Sequence, residues 1–155
     1  MDKAQALVKE LLQVPDGYSV LFLRGGASTQ FLMTAMNLLK TSGKAAYINT
    51  GTWSTKAIKE AKRYGEVNII ASSEDKNFSY IPKDYSSSED TDYLHFTSNN
   101  TIFGTQFHEF PKVSKDTMLV CDMSSDIFSR KIDVSKFDLI YAGAQKNMGP
   151  AGTTL

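Results

Sequence analysis

An internal disulfide is excluded, because the chain carries a single cysteine, Cys121. The same scarcity removes any thiolate cluster for zinc. Its two histidines, His95 and His108, have no neighbouring Cys or carboxylate arrangement of ligand spacing, so no metal site is expected. One free thiol suits a reducing compartment, and a cytoplasmic location is the expectation. Neither sign of charge is in excess: 17 Lys and Arg face 17 Asp and Glu. A chain without a strong field has no electrostatic pull toward nucleic acid or an anionic membrane. Long apolar runs are missing too; none approaches the ~20 residues that span a bilayer. The start, Met1-Asp-Lys-Ala-Gln, is amphipathic where a secretory signal needs a continuous apolar core. There is no internal repeat.

What is present reads as one α/β unit. Ala4, Leu7, Val8, Leu11 and Leu12 recur at helical spacing and stop before the turn signal Pro15-Asp-Gly17. Tyr18 to Leu23 reads as a buried strand, and Gln30 to Lys40 as a helix. Lys44–Asn49 is a second strand, followed by a helix from Gly51-Thr-Trp-Ser54 to Tyr64-Gly65, and Val67–Ala71 is a third. Residues 77–82 look extended, and residues 86–92 (Ser-Ser-Ser-Glu-Asp-Thr-Asp) form a polar loop. Tyr93–Thr97, Thr117–Asp122 and Leu139–Ala142 complete the strands. Strands alternating with helices and loops imply a largely parallel mixed sheet flanked by helices.

In such sheets ligands bind beyond the carboxyl ends of the strands, and the distinctive residues of this chain gather at strand ends. Gly25-Gly-Ala-Ser-Thr29 joins a strand to a helix. Small residues there let the backbone approach a ligand, and free amides at a helix start bind an anion; an ordinary tight turn with a Ser or Thr cap reads equally well. Trp53 opens a helix, either stacking on a flat ring or stapling the helix to the core. Asp122 ends an apolar strand, at the sheet's rim or buried with a partner. Lys146 is the only charge between Leu139 and the C-terminus. A desolvated lysine gives up its proton readily and can condense with an aldehyde; a solvated lysine at a strand end is the plain alternative. His95 reads as an interior or edge histidine, and His108 is given no role. Anion cradle, stacking ring, hydroxyl, carboxylate and amine together match the needs of pyridoxal phosphate.

Five stretches carry a resemblance: Gly25-Gly-Ala-Ser-Thr-Gln-Phe31, Asn49-Thr-Gly-Thr-Trp-Ser54, Asn99-Asn-Thr-Ile102, Cys121-Asp-Met-Ser-Ser125 and Ala142-Gly-Ala-Gln-Lys-Asn-Met-Gly-Pro-Ala-Gly152. In that order and spacing the chain resembles the class-V pyridoxal-phosphate aminotransferases, which have the aspartate-aminotransferase fold, and among them the phosphoserine aminotransferase family. The resemblance implies pyridoxal 5'-phosphate as cofactor, with Lys146 as the Schiff-base lysine that also moves the proton between the α-carbon and C4′. It makes Asp122 the partner of the ring nitrogen and Trp53 the stacking residue. Thr101 becomes the hydroxyl near the phenolic oxygen, Ala27 and Ser28 the phosphate ligands, and Gln145 an added amide. The implied reaction takes an amino group from glutamate to 3-phosphohydroxypyruvate, giving phosphoserine and 2-oxoglutarate in serine biosynthesis, and the implied assembly is a homodimer. Members of that family are much longer. The arginine for the substrate carboxylate, the Asn-Thr pair lent by a neighbouring subunit and the C-terminal small domain have no counterpart here. Residues 1–155 are therefore expected to form the central, truncated part of the cofactor-binding large domain. The alternatives are another class-V enzyme, such as the alanine–glyoxylate type, and a non-catalytic fragment that only folds and self-associates.

Overall fold

The computed structural model describes residues 1–40, 43–83, 85 and 90–155. Its centre is a five-stranded parallel sheet. The strands are β2 (Lys44–Asn49), β3 (Glu66–Ser72), β4 (Tyr93–Thr97), β7 (Met118–Asp122) and β8 (Leu139–Tyr141), in the order β3-β2-β4-β7-β8. Alternation along these strands feeds two cores. Ala46, Ile48, Leu94, Phe96, Leu119 and Cys121 face one side with Val8 and Leu12 of α1 (Asp2–Leu12). Ala45, Tyr47, Tyr93, Val120 and Tyr141 face the other, under α2 (Ala27–Leu38) and α3 (Thr52–Ala61). Because both faces are covered, the central strands read as unbroken buried runs.

The sheet's strand order reverses between β2 and β4: from β2 the chain goes outward to β3, then back across to β4 on β2's other side. That places a crevice beyond the carboxyl ends of these two strands. Two short pairs decorate the rim. β5 (Asn99–Asn100) and β6 (Thr105–Gln106) form a small antiparallel ladder. β1 (Leu23–Arg24) pairs antiparallel with β9 (Thr153–Thr154), and Thr154 also bridges Gly143 after β8.

The strand expected over Tyr18–Leu23 is not formed over that span. Only Leu23 and Arg24 join a ladder, because β9 offers two paired residues and no strand lies beside residues 18–22 among the described residues. That segment is held instead by side chains: Tyr18 donates to the Phe137 carbonyl at 2.8 Å, Gln5 donates to the Val20 carbonyl at 2.9 Å, and Val20 is buried. Helix α2 begins at Ala27, not Gln30, so the small-residue motif is its first turn. Gly25 enters that turn at φ 99°, a left-handed conformation that favours glycine. The α3 helix ends at Ala61, and a turn carries the chain to Gly65. Residues 77–82 begin in a tight turn, with Asn77 and Phe78 at φ 50° and 58°. Of the expected polar loop, residues 86–89 lie outside the described residues; Asp92 accepts from the backbone amides of Lys40 and Gly43 at 2.8 and 3.1 Å.

Candidate active site

The crevice is a cleft with a cavity volume of about 120 Å³, lined by a few convergent polar groups among apolar ones, as small-molecule sites are. Ala27, Ser28, Trp53, Thr101, Asp122, Gln145 and Lys146 all line it, so the seven residues singled out in the sequence converge on one hollow. They arrive from five places: the start of α2, the start of α3, the turn after β5, the end of β7 and the turns after β8.

The start of α2 has no side-chain cap, with Gly26 in extended backbone at the N-cap. No acidic residue occupies its first turn. The amides of the opening residues therefore face the cleft with the positive end of the helix dipole behind them. At the start of α3, Ser54 takes over capping from Gly51. Its Oγ accepts from the amides of Thr50 and Gly51, each at 3.0 Å, and donates to Asn49 Oδ1 at 2.9 Å. This fixes the turn that presents Trp53, whose ring carries the Lys56 ammonium 4.5 Å from its centroid.

Asp122 is buried at 3% exposure. Its Oδ1 accepts from the Ser124 amide at 3.0 Å and from Ser124 Oγ at 2.6 Å. Ser124 Oγ also accepts from the Gly143 amide at 3.1 Å, tying the end of β7 to the end of β8. Burial pushes the Asp122 carboxyl up to about 6; the Ser124 bonds oppose this rise and the charge of Asp126 adds to it. Asp126 anchors two loops, accepting from Ser98 Oγ and from Gln106 Nε2, the latter at 3.1 Å.

Below this rim lies a fully buried polar layer. The hydroxyls of Tyr47 and Tyr93 share a 2.9 Å hydrogen bond, and His95 Nε2 bonds Tyr141 Oη at 2.8 Å. Burial holds His95 down to about 3, so it is neutral. It is the interior histidine the sequence suggested, although Nδ1 has no hydrogen-bond partner among the described residues.

Lys146 departs from expectation in one respect. It lines the cleft from an exposed position rather than a desolvated one, and it has no hydrogen-bond or ion-pair partner among the described residues. The turn bearing it is fixed by bonds from the Met148 and Gly149 amides to the Ala144 carbonyl, at 3.1 and 3.0 Å. Asn147 adds a bond to the Ile127 carbonyl at 2.6 Å.

Sequence reasoning did not assign Thr97, Asn99, Ser124 or Ser125 to the site, yet all four line the cleft. Ser124 had a legible signal, since an Asp followed two residues later by Ser is an Asx-turn pattern. Thr97 had a weaker one, its place at the end of a strand beside the one that ends in Asp122.

The model of the family described as aminotransferase class-V matches residues 1–155. The chain belongs to the class-V aminotransferases. This class-V chain is 65% identical over 156 residues to the phosphoserine aminotransferase of Flavobacterium johnsoniae, covering 100% of this chain and 43% of that protein. Its fold superposes on phosphoserine aminotransferase from Bacillus circulans subsp. alkalophilus with a TM-score of 0.95 at 50% identity, over 99% of this chain and 43% of that one. The pyridoxal-phosphate-bound phosphoserine aminotransferase of Trichomonas vaginalis gives 0.89 at 37% identity, over 99% of this chain and 44% of that one. The chain thus spans 40–43% of the length of the curated relatives it matches.

Proposed function

We propose that the cleft holds pyridoxal 5'-phosphate. We propose further that the chain supplies the cofactor-binding part of a transaminase moving an amino group from glutamate to 3-phosphohydroxypyruvate, within a homodimeric protein. The observation that carries this reading is the meeting of an amine, a buried acid and an uncapped helix start around one hollow. The donor set fits the group. The first amides of α2 suit a phosphate, a buried acid suits a ring N–H, an indole suits a flat ring, and an unpaired amine suits an aldehyde. Identity with phosphoserine aminotransferases supports the substrate choice.

When bound, that cofactor supplies an aldehyde for amino-group capture and a ring that accepts electrons from the substrate α-carbon. Ala27 and Ser28 would hold the phosphate through their amides, with the Gln145 side chain as a further donor. Trp53 would shield the ring from water, and Thr101 would offer a hydroxyl to the phenolic oxygen. Asp122, in its anionic form, would keep the ring nitrogen protonated. Lys146 Nζ would hold the aldehyde and move the proton at the substrate α-carbon. We read residues 1–155 as part of the cofactor-binding large domain, a reading supported by the much greater length of the matched relatives.

Borohydride reduction in the presence of pyridoxal phosphate, followed by intact mass, tests the site. A single stable adduct is expected on the wild-type chain and none on Lys146→Ala. An adduct of equal yield on both chains, or on neither, rejects the assignment. Light scattering tests the dimer.

A further inference from the structure

One polar atom in the cleft wall is not used by the reading above. Thr97 is 4% exposed, it lines the cleft, and its Oγ1 has no hydrogen-bond partner among the described residues. A buried hydroxyl without a partner is uncommon and calls for a reason. Its position supplies one. Thr97 ends β4 in register with Asp122, which ends β7, and in a parallel pair such neighbours project to the same face about 5 Å apart. Asp122 leaves one oxygen open: Ser124 occupies Oδ1 twice, while Oδ2, not sealed from the cleft, accepts nothing among the described residues.

We propose that Thr97 is a positioning residue that acts through Asp122, its hydroxyl serving as the second hydrogen-bond donor to the carboxylate, on Oδ2. In the proposed arrangement a rotation of the Thr97 side chain carries its hydroxyl to Oδ2. Ser124 then holds one oxygen and Thr97 the other, so the plane of the carboxylate is set from both sides. A donor to the ionised form also favours ionisation, so Thr97 offsets part of what burial does to this acid. The groups that face Asp122 from the surrounding elements are Asp126 on the following turn, Tyr141 opposite it on β8, His95 lower on β4, and Lys146 across the cleft. None of these changes when the Thr97 hydroxyl is removed.

The test follows the Asp122 side-chain carboxyl by carbon-detected NMR as pH is varied, in wild type, Thr97→Val and Thr97→Ser, without pyridoxal phosphate. Valine keeps the shape and deletes the donor; serine restores the donor. The expected result is a midpoint raised by about half a unit or more in the valine variant, a threefold or greater change in proton affinity, and restored by serine. Equal midpoints in wild type and valine overturn the proposal. So does a valine shift that serine fails to restore, since that marks packing rather than hydrogen bonding. If circular dichroism shows the valine chain unfolded, Thr97→Ala is titrated under the same criteria. The inference rests on Asp122 being the acid of this cleft, not on the cofactor itself. Adduct formation with an unmoved midpoint sinks only the Thr97 role, and a moved midpoint without any adduct sinks only the cofactor reading.

Discussion

Two hollows of the molecule are similar in size and differ in the side chains they bring together. The cleft beyond β2, β4 and β7 has a cavity volume of about 120 Å³ and is walled by Asp122, Lys146, Thr97 and the start of α2. The other, about 140 Å³, lies between α1, residues 18–23 and β8, and its wall is largely aliphatic and aromatic, with Val8, Leu12, Val20, Phe137 and Ile140. Its one carboxylate, Asp138, is committed to the backbone, accepting from the Leu119 amide at 2.7 Å. Volume does not separate the two. Convergent polar chemistry favours the first, because orientation and reaction need placed donors, acids and amines, whereas an apolar hollow offers only burial. On the proposed reading one region serves chemistry and the other stability, and substitutions separate the two roles.

The largest effect is all-or-none. Lys146→Ala abolishes covalent capture of pyridoxal phosphate, while its unfolding midpoint stays close to wild type because the exposed side chain makes no hydrogen bond or ion pair among the described residues. Intact mass and a urea titration read the two quantities side by side. Leu12→Ala inverts the pattern. Leu12 is 7% exposed on the wall of the apolar hollow, so truncation lowers stability by about 2–4 kcal/mol and leaves adduct yield per folded molecule unchanged. If Leu12→Ala lost the adduct while folded, the two hollows would be coupled and the contrast would fail.

Next comes Asp122→Asn, where site and stability oppose each other. Burial raises the folded-state carboxyl from 3.8 to about 6. Below about pH 4 the acid is protonated in both folded and unfolded chains, so it carries no penalty. As pH rises from 4 to 6 the unfolded chain ionises first, and the folded state loses stability until both are charged. A shift of about two units corresponds to about 2–3 kcal/mol. Asparagine keeps an acceptor for Ser124 and carries no charge. The variant should therefore gain about 2–3 kcal/mol on wild type between pH 4 and pH 8 in urea unfolding. A gap that shrinks with rising pH would mean a cation partners Asp122 in solution.

How much of this was legible in the sequence depends on whether a residue's environment is local. Lys44–Asn49 was readable to its ends, because a strand covered on both faces is a continuous apolar run. Asp122 and Lys146 were readable because strand ends in an α/β sheet fall on one rim, and the specific lysine stretch pointed to the family. Residues 18–22 were not, since a strand exists only if another lies beside it, and that neighbour is not encoded in the segment itself. The start of α2 was placed late because glycine, alanine and serine show no apolar period, although free amides need no side chain to start a helix. The exposure of Lys146 was hidden as well: its uncharged surroundings in sequence suggested burial, but burial ends at Ala144 and the turn after β8 leaves residues 145–147 exposed. Thr97 was invisible for the converse reason, as its interest lies wholly in what stands across the ladder from it.

The smallest effect sharpens the contrast at the mouth of the polar cleft. Trp53 is half-buried, packs against the core under α2 and α3, and carries Lys56 over its ring. If it serves the ring of a bound cofactor, its face contributes about 0.5–1.5 kcal/mol beyond area burial, a weakening of roughly three- to tenfold in pyridoxal-phosphate affinity for Trp53→Ala. Trp53→Phe keeps a flat face and should recover most of that loss. If the indole instead only staples α3 to the core, both variants lose stability in proportion to the volume removed, and affinity per folded molecule does not move. Equilibrium titration of cofactor absorbance alongside thermal unfolding distinguishes these outcomes. It does so at a residue of the cleft wall that borders both the proposed chemistry and the core.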